Sequence, residues 1–355
     1  MKSEKRITIS LISFAIVSLL TSIMPFWGLQ GEAYFSLTIV LVVLCGLTTA
    51  NFQNALFGMA AKFPGIFMQA VITGQGAAGI VVSFTNLITT AAKAGSTNDL
   101  DKKITACAYF AVAFFFVLLS VFGFIALQKM PIFKYYMGVD KFLNVSSDDI
   151  DGKANESSDS LLMEGKESPS ISILKVLKEI KWFGISVFFI FFVSLALIPY
   201  HHLTATTDTS SQMYMSLFSP LAFFVFDLGD VIGKALPGWP MFFIKSDKLI
   251  FALSFARIIF FPLFMFGNIV LQQGPTHTPK VFASDVAFFF IALFHSLSNG
   301  YLGSILMIKA PMSVDVEKRE RTGSLMTMFL TIGIALGSMF SFALVSVHCN
   351  CNPFV

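Results

Sequence analysis

Long apolar runs dominate the chain, and they constrain its fold more than any other feature. A run of about 18 apolar residues is long enough to cross a bilayer as a helix, which satisfies its own backbone hydrogen bonds there. Of the 355 residues, 55% are hydrophobic and 13% are charged, whereas a soluble domain is about 25% charged. The sequence therefore predicts an all-α polytopic membrane protein with nine spans, at about 7–26, 33–58, 65–92, 104–128, 181–200, 214–236, 249–272, 282–308 and 323–347.

The basic residues predict how the spans are oriented. With a cytoplasmic N-terminus, nineteen of the 24 Lys and Arg residues fall in inside segments and four in outside segments, while Arg257 lies within a span. Cytoplasmic loops of membrane proteins carry such an excess of Lys and Arg. We therefore expect the N-terminus in the cytoplasm and the C-terminus outside.

One long polar stretch divides the spans into four and five. Residues 129–180 are rich in Ser, Asp, Glu and Lys, a composition that cannot bury enough apolar surface to fold. We expect an N-terminal bundle over 1–128, a disordered cytoplasmic linker over 129–180 and a C-terminal bundle over 181–355.

The sixth span carries charged residues in an otherwise apolar segment. Asp227, Asp230 and Lys234 fall within about 60° of one another on a helix. One charge at the bilayer centre costs roughly 2.5–3.5 kcal/mol on insertion scales, so these groups must be paired or line a cavity. Arg257, in the next span, completes a set without net charge. Either an ion pair locks the helices together, or the set is a gating or substrate-facing site.

Other polar residues inside spans allow two interpretations. Gln53, in the second span, can bond a neighbouring helix, or its amide can offer one donor and one acceptor to a heterocyclic base. Both stay open. For His295, Ser298 and Asn299 in the eighth span, helix–helix bonding is favoured.

The run from Gly74 to Gly79 matches G-x-G-x-x-G, but a dinucleotide site needs a preceding strand and a βαβ unit. Within a span, such glycines let helices approach closely, and the same holds for Gly333 and Gly337.

No arrangement typical of a catalytic centre occurs in the sequence, and we predict no enzyme activity, metal site or cofactor. His201, His202 and Asp208 crowd an outside loop, where a solvated loop is favoured over a metal site. The small net charge of +3 does not suggest nucleic acid as a partner.

Several motifs, in this order, resemble the equilibrative nucleoside transporter family over nearly the whole chain. They are NFQNALFG at 51–58, Phe63-Pro64, TGQGAAG at 73–79, FDLGDVIGK at 226–234, Trp239-Pro240, Ala256-Arg257, Phe261-Pro262-Leu263, SNGYL at 298–302, and Glu320 with Gly323 through Gly337.

This resemblance implies a major-facilitator-like bundle of two halves around a midplane site. The family has eleven spans, and this chain begins where the third would. The implied function is facilitative transport of nucleosides or nucleobases by alternating access. The alternative is a truncated or degenerate member without transport activity that acts as a membrane partner protein.

The resemblance also assigns roles to residues. Gln53 aligns with a glutamine that contacts the nucleobase, and Asp230 with an aspartate that engages ribose together with a basic residue one turn later. That basic residue is usually arginine and here is Lys234, which keeps the charge but loses the planar fork. Asp227 aligns with an often uncharged position, which raises proton coupling. We expect the plasma membrane rather than a vacuolar or lysosomal one.

Overall fold

The structure is a computed structural model that describes residues 3–28, 31–93, 99–138, 173–198, 205–206, 211–267, 270–271, 281 and 284–349. His201, His202 and Asp208 lie outside these residues. Within them, no group of three or more His, Cys, Asp and Glu side chains could hold a metal ion.

Eleven α-helices form this part of the chain, with short 3₁₀ turns between some of them. They are α1 (Ser3–Ile23), α2 (Gly31–Ala60), α3 (Gly65–Lys93), α4 (Asp99–Lys129), α5 (131–138), α6 (Ile173–Ile198), α7 (Gln212–Ala235), α8 (Asp247–Ala256), α9 (Phe260–Met265), α10 (Asp285–Met312) and α11 (Arg319–Cys349). Two residues, Ala205–Thr206, pair antiparallel with Val270–Leu271.

The prediction of an all-α polytopic membrane protein is confirmed. Nine helical segments in the described ranges are long and apolar enough to cross a membrane, and they correspond one to one with the predicted spans. The seventh span differs in detail, because a 3₁₀ turn over Arg257–Ile259 separates α8 from α9. Pro262 explains this break: it has no N–H for the carbonyl of Ile258, and its ring crowds that carbonyl.

The linker predicted over 129–180 has helical residues at both ends. α5 follows α4 closely, and the rings of Phe133 and Tyr136 pack on Phe63 with centroids 5.9 Å and 5.3 Å apart. α6 begins at Ile173, before the predicted start of its span. Residues 139–172 lie outside the described chain, so disorder there stays a prediction.

Helix pairs build two bundles and join them. In the N-terminal half α1 packs on α2 and α4, and in the C-terminal half α6 packs on α11 and α7 on α10. α3 belongs to the first half of the sequence, but it packs mainly against α7 and α10. The halves therefore meet through α3 with α7 and α10, and through α2 with α11.

Glycines allow α11 to cross α6 closely in the C-terminal bundle. A Cβ added at Gly333 would lie 2.5 Å from the carbonyl oxygen of Phe188, and one at Gly337 would lie 2.5 Å from that of Phe192. Only a residue without a side chain fits at such distances. The expected close packing at these glycines is confirmed.

We expect Gly337→Ala to destabilise the protein, because its new Cβ would push α11 away from α6 at a cost of about 1–3 kcal/mol. The thermal unfolding midpoint in detergent should fall by several degrees. Gly123→Ala is the matched control, because nothing lies within 4 Å of a Cβ there. Equal midpoints for the two variants would contradict the close crossing.

Candidate functional site

Three glycines bring α7 and α10 together at the depth of Asp230. A Cβ added at Gly229 would collide with Ser296, one at Gly233 with the Leu297 carbonyl, and one at Gly300 with the Asp230 carbonyl. The two backbones are therefore almost in contact. This closeness lets the short side chains of Asp230 and Asn299 reach each other.

Asp230 has a partner on each carboxylate oxygen. Lys234, one turn further along α7, places Nζ 2.6 Å from Oδ2. Asn299 on α10 donates from Nδ2 to Oδ1 at 2.8 Å. Asp230 is only 7% exposed, so these partners offset the cost of removing a charge from water.

Arg257 lies in the 3₁₀ turn between α8 and α9 and is 2% exposed. Its guanidinium donates from Nη2 to Ser194 Oγ at 2.6 Å, and from Nη1 to the His295 carbonyl at 3.0 Å and to Ser298 Oγ. Its charge also lies over the ring of Phe260, 5.6 Å from the centroid. None of these partners is a carboxylate: Arg257 binds neutral groups here, and the sequence left a helix-locking ion pair and a gating or substrate-facing site open as alternatives.

Ser194 on α6 connects the two charged centres. Its hydroxyl donates to Asn299 Oδ1 at 2.7 Å while it accepts from Arg257. Lys234, Asp230, Asn299, Ser194 and Arg257 thus form one continuous hydrogen-bonded chain, which we call the polar relay. It joins α6, α7, α10 and the turn after α8.

Asp227 is not in the polar relay. It is half-buried and faces α3, where a Cβ added at Gly79 would lie 3.2 Å from Asp227 Oδ1, and its carboxyl interacts with the hydroxyl of Ser83. Gly76 likewise leaves space for Lys234, whose Cδ would lie 3.0 Å from a Cβ added at Gly76. In contrast, a Cβ added at Gly74 would have nothing within 4 Å. Two glycines of the G-x-G-x-x-G run therefore admit α7, which confirms their packing role.

A small cavity of about 30 Å³ lies where the two halves meet beside the relay. It has room for about one water molecule. Helices from both halves of the chain line it: Phe57, Ile72, Gln75, Phe191, Lys234, Asn299, Gly300, Gly303, Ser304, Met307 and Leu330. Gln53 is half-buried one turn from Phe57 on the same face of α2, but no hydrogen bond joins it to the relay within the described residues.

A second polar contact closes the junction of α2 and α11. Glu320 pairs with Lys62, whose Nζ lies 2.7 Å from Oε2, and accepts a hydrogen bond from Ser3 of α1. The amide of Asn54 donates to the Ser324 carbonyl at 3.3 Å. From Ala55 to Ala60 α2 is largely buried, whereas most of its earlier turns are exposed. The halves are therefore tightly joined at this end of the molecule.

The charged residues of the site are evident from the sequence, but the hydrogen bonds that connect them are not. Asn299 was assigned to helix–helix bonding without its link to Asp230. Ser194 was not singled out, and an isolated serine in a Phe-rich span gave no signal that separates it from Ser186. Gln75 lies inside the glycine-rich run and is not among the predicted site residues. Pro262 was the available signal for the turn at Arg257.

Comparison with known proteins gives a consistent picture over most of the chain. The family model described as Nucleoside transporter matches residues 33–346.

Individual relatives are similar over nearly the whole chain. Equilibrative nucleoside transporter 1 of Homo sapiens is 28% identical over 349 residues, covering 95% of this chain and 75% of the relative. Equilibrative nucleotide transporter 1 of Arabidopsis thaliana is 26% identical over 340 residues, covering 95% and 70%. Equilibrative nucleoside transporter 1 of Mus musculus is 29% identical over 358 residues, covering 96% and 75%.

We expect Lys234→Met to destabilise the protein by about 3–5 kcal/mol, because it leaves the buried Asp230 carboxylate without its counter-ion. The double variant Asp230→Asn with Lys234→Met should recover most of that stability, since no charge of the pair is then left alone. Thermal unfolding of the wild type and the variants in detergent measures both effects. A single variant as stable as the wild type would show that the pair is not buried.

Proposed function

Because the chain belongs to the nucleoside transporter family, we propose that it carries nucleosides across a membrane by facilitated transport with alternating access. It is a multi-pass membrane protein of a transporter family, and that family is not one of enzymes. The observation that carries the proposal is the Asp230–Lys234 pair beside a cavity between the two halves.

The pair offers the hydrogen-bonding pattern that a ribose needs. A carboxylate accepts hydrogen bonds from hydroxyl groups, and an ammonium donates to their oxygens. Two adjacent hydroxyls of a sugar could therefore bind to Asp230 and Lys234 together. In this role, Lys234 and Asp230 are the sugar-binding residues of the proposed site.

The remaining walls suit a heterocyclic base. Phe57 and Phe191 supply aromatic surface, and Gln75 supplies an amide at the cavity. Gln53 lies one turn from Phe57, and we propose that it contacts the base once the cavity widens. Nucleobases would use this part of the site without the sugar contacts, so we propose them as a second, weaker class of solute.

The cavity must widen before a solute enters, because pockets for small molecules typically hold about 300–1,000 Å³. The contacts of Glu320 with Lys62 and Ser3 join the two halves at the end of the molecule where α2 is buried. We propose that these contacts break when the site opens toward that end of the molecule. We also propose that this end faces the cytoplasm, as the distribution of basic residues predicts. We also propose the plasma membrane as its location.

The alternative is a family member without transport activity that acts as a membrane partner protein. The charged pair beside the cavity favours the carrier, because ionisable residues within membrane spans commonly mark the path of a solute or ion. Flux measurement separates the two.

We expect purified protein in liposomes to take up radiolabelled uridine and adenosine down their gradients. Asp230→Asn should lower the uptake by on the order of tenfold, because a hydrogen bond to a charged group becomes one to a neutral group. Asp247→Asn is the matched control, since Asp247 also pairs with a lysine, Lys309, but is half exposed, and Lys309 does not line the cavity as Lys234 does. No flux in the wild type would support the inactive alternative, and equal uptake by Asp230→Asn would remove Asp230 from the site.

We also propose that Asp227 couples uptake to protons, because within the described residues this carboxyl group has no direct ion pair and faces Ser83 and Gly79. An imposed pH gradient, acidic on the side of solute entry, should then raise uridine uptake by the wild type. Asp227→Asn should transport uridine without responding to the gradient. A wild type that ignores the gradient would contradict proton coupling and leave facilitated transport standing.

A further inference from the structure

The polar relay has only one consistent direction of hydrogen bonding. An ionised carboxylate can only accept, so the Asn299 amide must turn its Nδ2 toward Asp230 and its Oδ1 toward Ser194. The single proton of the Ser194 hydroxyl is then used toward Asn299. Ser194 is left to accept from Arg257, and a guanidinium can only donate. Each member therefore fixes the orientation of the next.

Burial makes this direction rigid. Ser194 is completely buried, Asn299 is 5% exposed and Arg257 is 2% exposed, so water is not at hand to replace a lost partner. Arg257 is itself held by the His295 carbonyl and by Ser298 of α10. This part of the relay thus runs from the guanidinium of Arg257, which is held in the C-terminal bundle, to one oxygen of Asp230.

The two oxygens of Asp230 consequently differ. Oδ1 is anchored through Asn299 to groups inside the bundle. Oδ2 is bound by the ammonium of Lys234, a flexible side chain that lines the cavity. A solute hydroxyl entering the cavity can exchange with that ammonium at Oδ2, whereas Oδ1 stays occupied.

We propose that Arg257, Ser194 and Asn299 are positioning residues that hold Asp230 so that Oδ2 alone is presented to a hydroxyl-bearing solute. These three residues therefore set the discrimination for the sugar hydroxyls by orienting Asp230 rather than by binding the ribose themselves. This inference rests on the proposed transport of nucleosides. It assigns a role to three residues, of which two, Arg257 and Ser194, do not line the cavity.

The test compares uridine with 2′,3′-dideoxyuridine, which lacks the 2′- and 3′-hydroxyls but keeps the 5′-hydroxyl, in liposomes that contain wild type, Asn299→Leu or Ser194→Ala. The wild type should prefer uridine by about tenfold or more, the scale of a hydrogen bond to a charged group. In Asn299→Leu the KM for uridine should rise by roughly tenfold while that for dideoxyuridine stays nearly constant, so most of the preference for uridine is lost. Ser194→Ala should fall between these two.

Two further variants separate positioning from folding. Ser194→Thr keeps the hydroxyl and should retain the wild-type preference. Ser186→Ala removes another buried hydroxyl of α6 that has no hydrogen-bond partner within the described residues. It should change the KM for neither uridine nor dideoxyuridine. If Asn299→Leu does not insert, the comparison of Ser194→Ala with Ser194→Thr decides.

The possible results are distinguishable. Equal losses for uridine and dideoxyuridine would show that the relay only supports the fold, and wild-type transport of both solutes by Ser194→Ala and Asn299→Leu would show that Asp230 needs no such support. Either result overturns the inference while leaving transport intact. A wild type that transports neither solute would overturn the proposed function and this inference together.

Discussion

Charged side chains that lie among apolar helices need partners in place of water, and this need determines how the helices of the C-terminal half pack. Asp230 is nearly buried, and so is Arg257, and neither has bulk water to solvate it. A buried charge stays ionised only if hydrogen bonds and counter-charges replace its hydration. Here one short lysine contact and a chain of neutral groups provide this replacement. The neutral groups matter as much as the charges, because Asn299 and Ser194 carry the link between two charged centres that do not touch.

Such short links require helices that approach closely, and glycines provide that approach. Gly229, Gly233 and Gly300 let α7 lie against α10, while Gly333 and Gly337 let α11 lie against α6. The relay crosses α6, α7 and α10 and therefore ties the C-terminal bundle together from within. In contrast, the two halves are joined by α2 with α11 and by α3 with α7, through contacts that include the half-buried pair of Lys62 and Glu320.

Much of the fold could be predicted from the sequence because lipid imposes a simple rule on length and polarity. All nine spans were found in this way, as was the packing role of Gly333 and Gly337. The charged residues of α7 were also evident, since Asp230 and Lys234 stand out in an apolar segment. Their partners were not evident. Whether Asn299 faces Asp230 depends on how α10 is rotated against α7, and Ser194 gains its role only from Arg257, whose position follows from the 3₁₀ turn before Pro262. Such relations arise between helices and leave no periodic signal within one of them.

The proposal that Asp230 and Lys234 bind the sugar of the solute can be tested by a structure determined in the presence of saturating uridine. Such a structure shows where the solute lies relative to the charged groups of α7. We predict ribose density within hydrogen-bonding distance of Asp230 Oδ2 and Lys234 Nζ, with Asn299 still bound to Oδ1 and the cavity between the halves enlarged. Uridine bound elsewhere, with the Asp230–Lys234 pair and its small cavity unchanged, would contradict it.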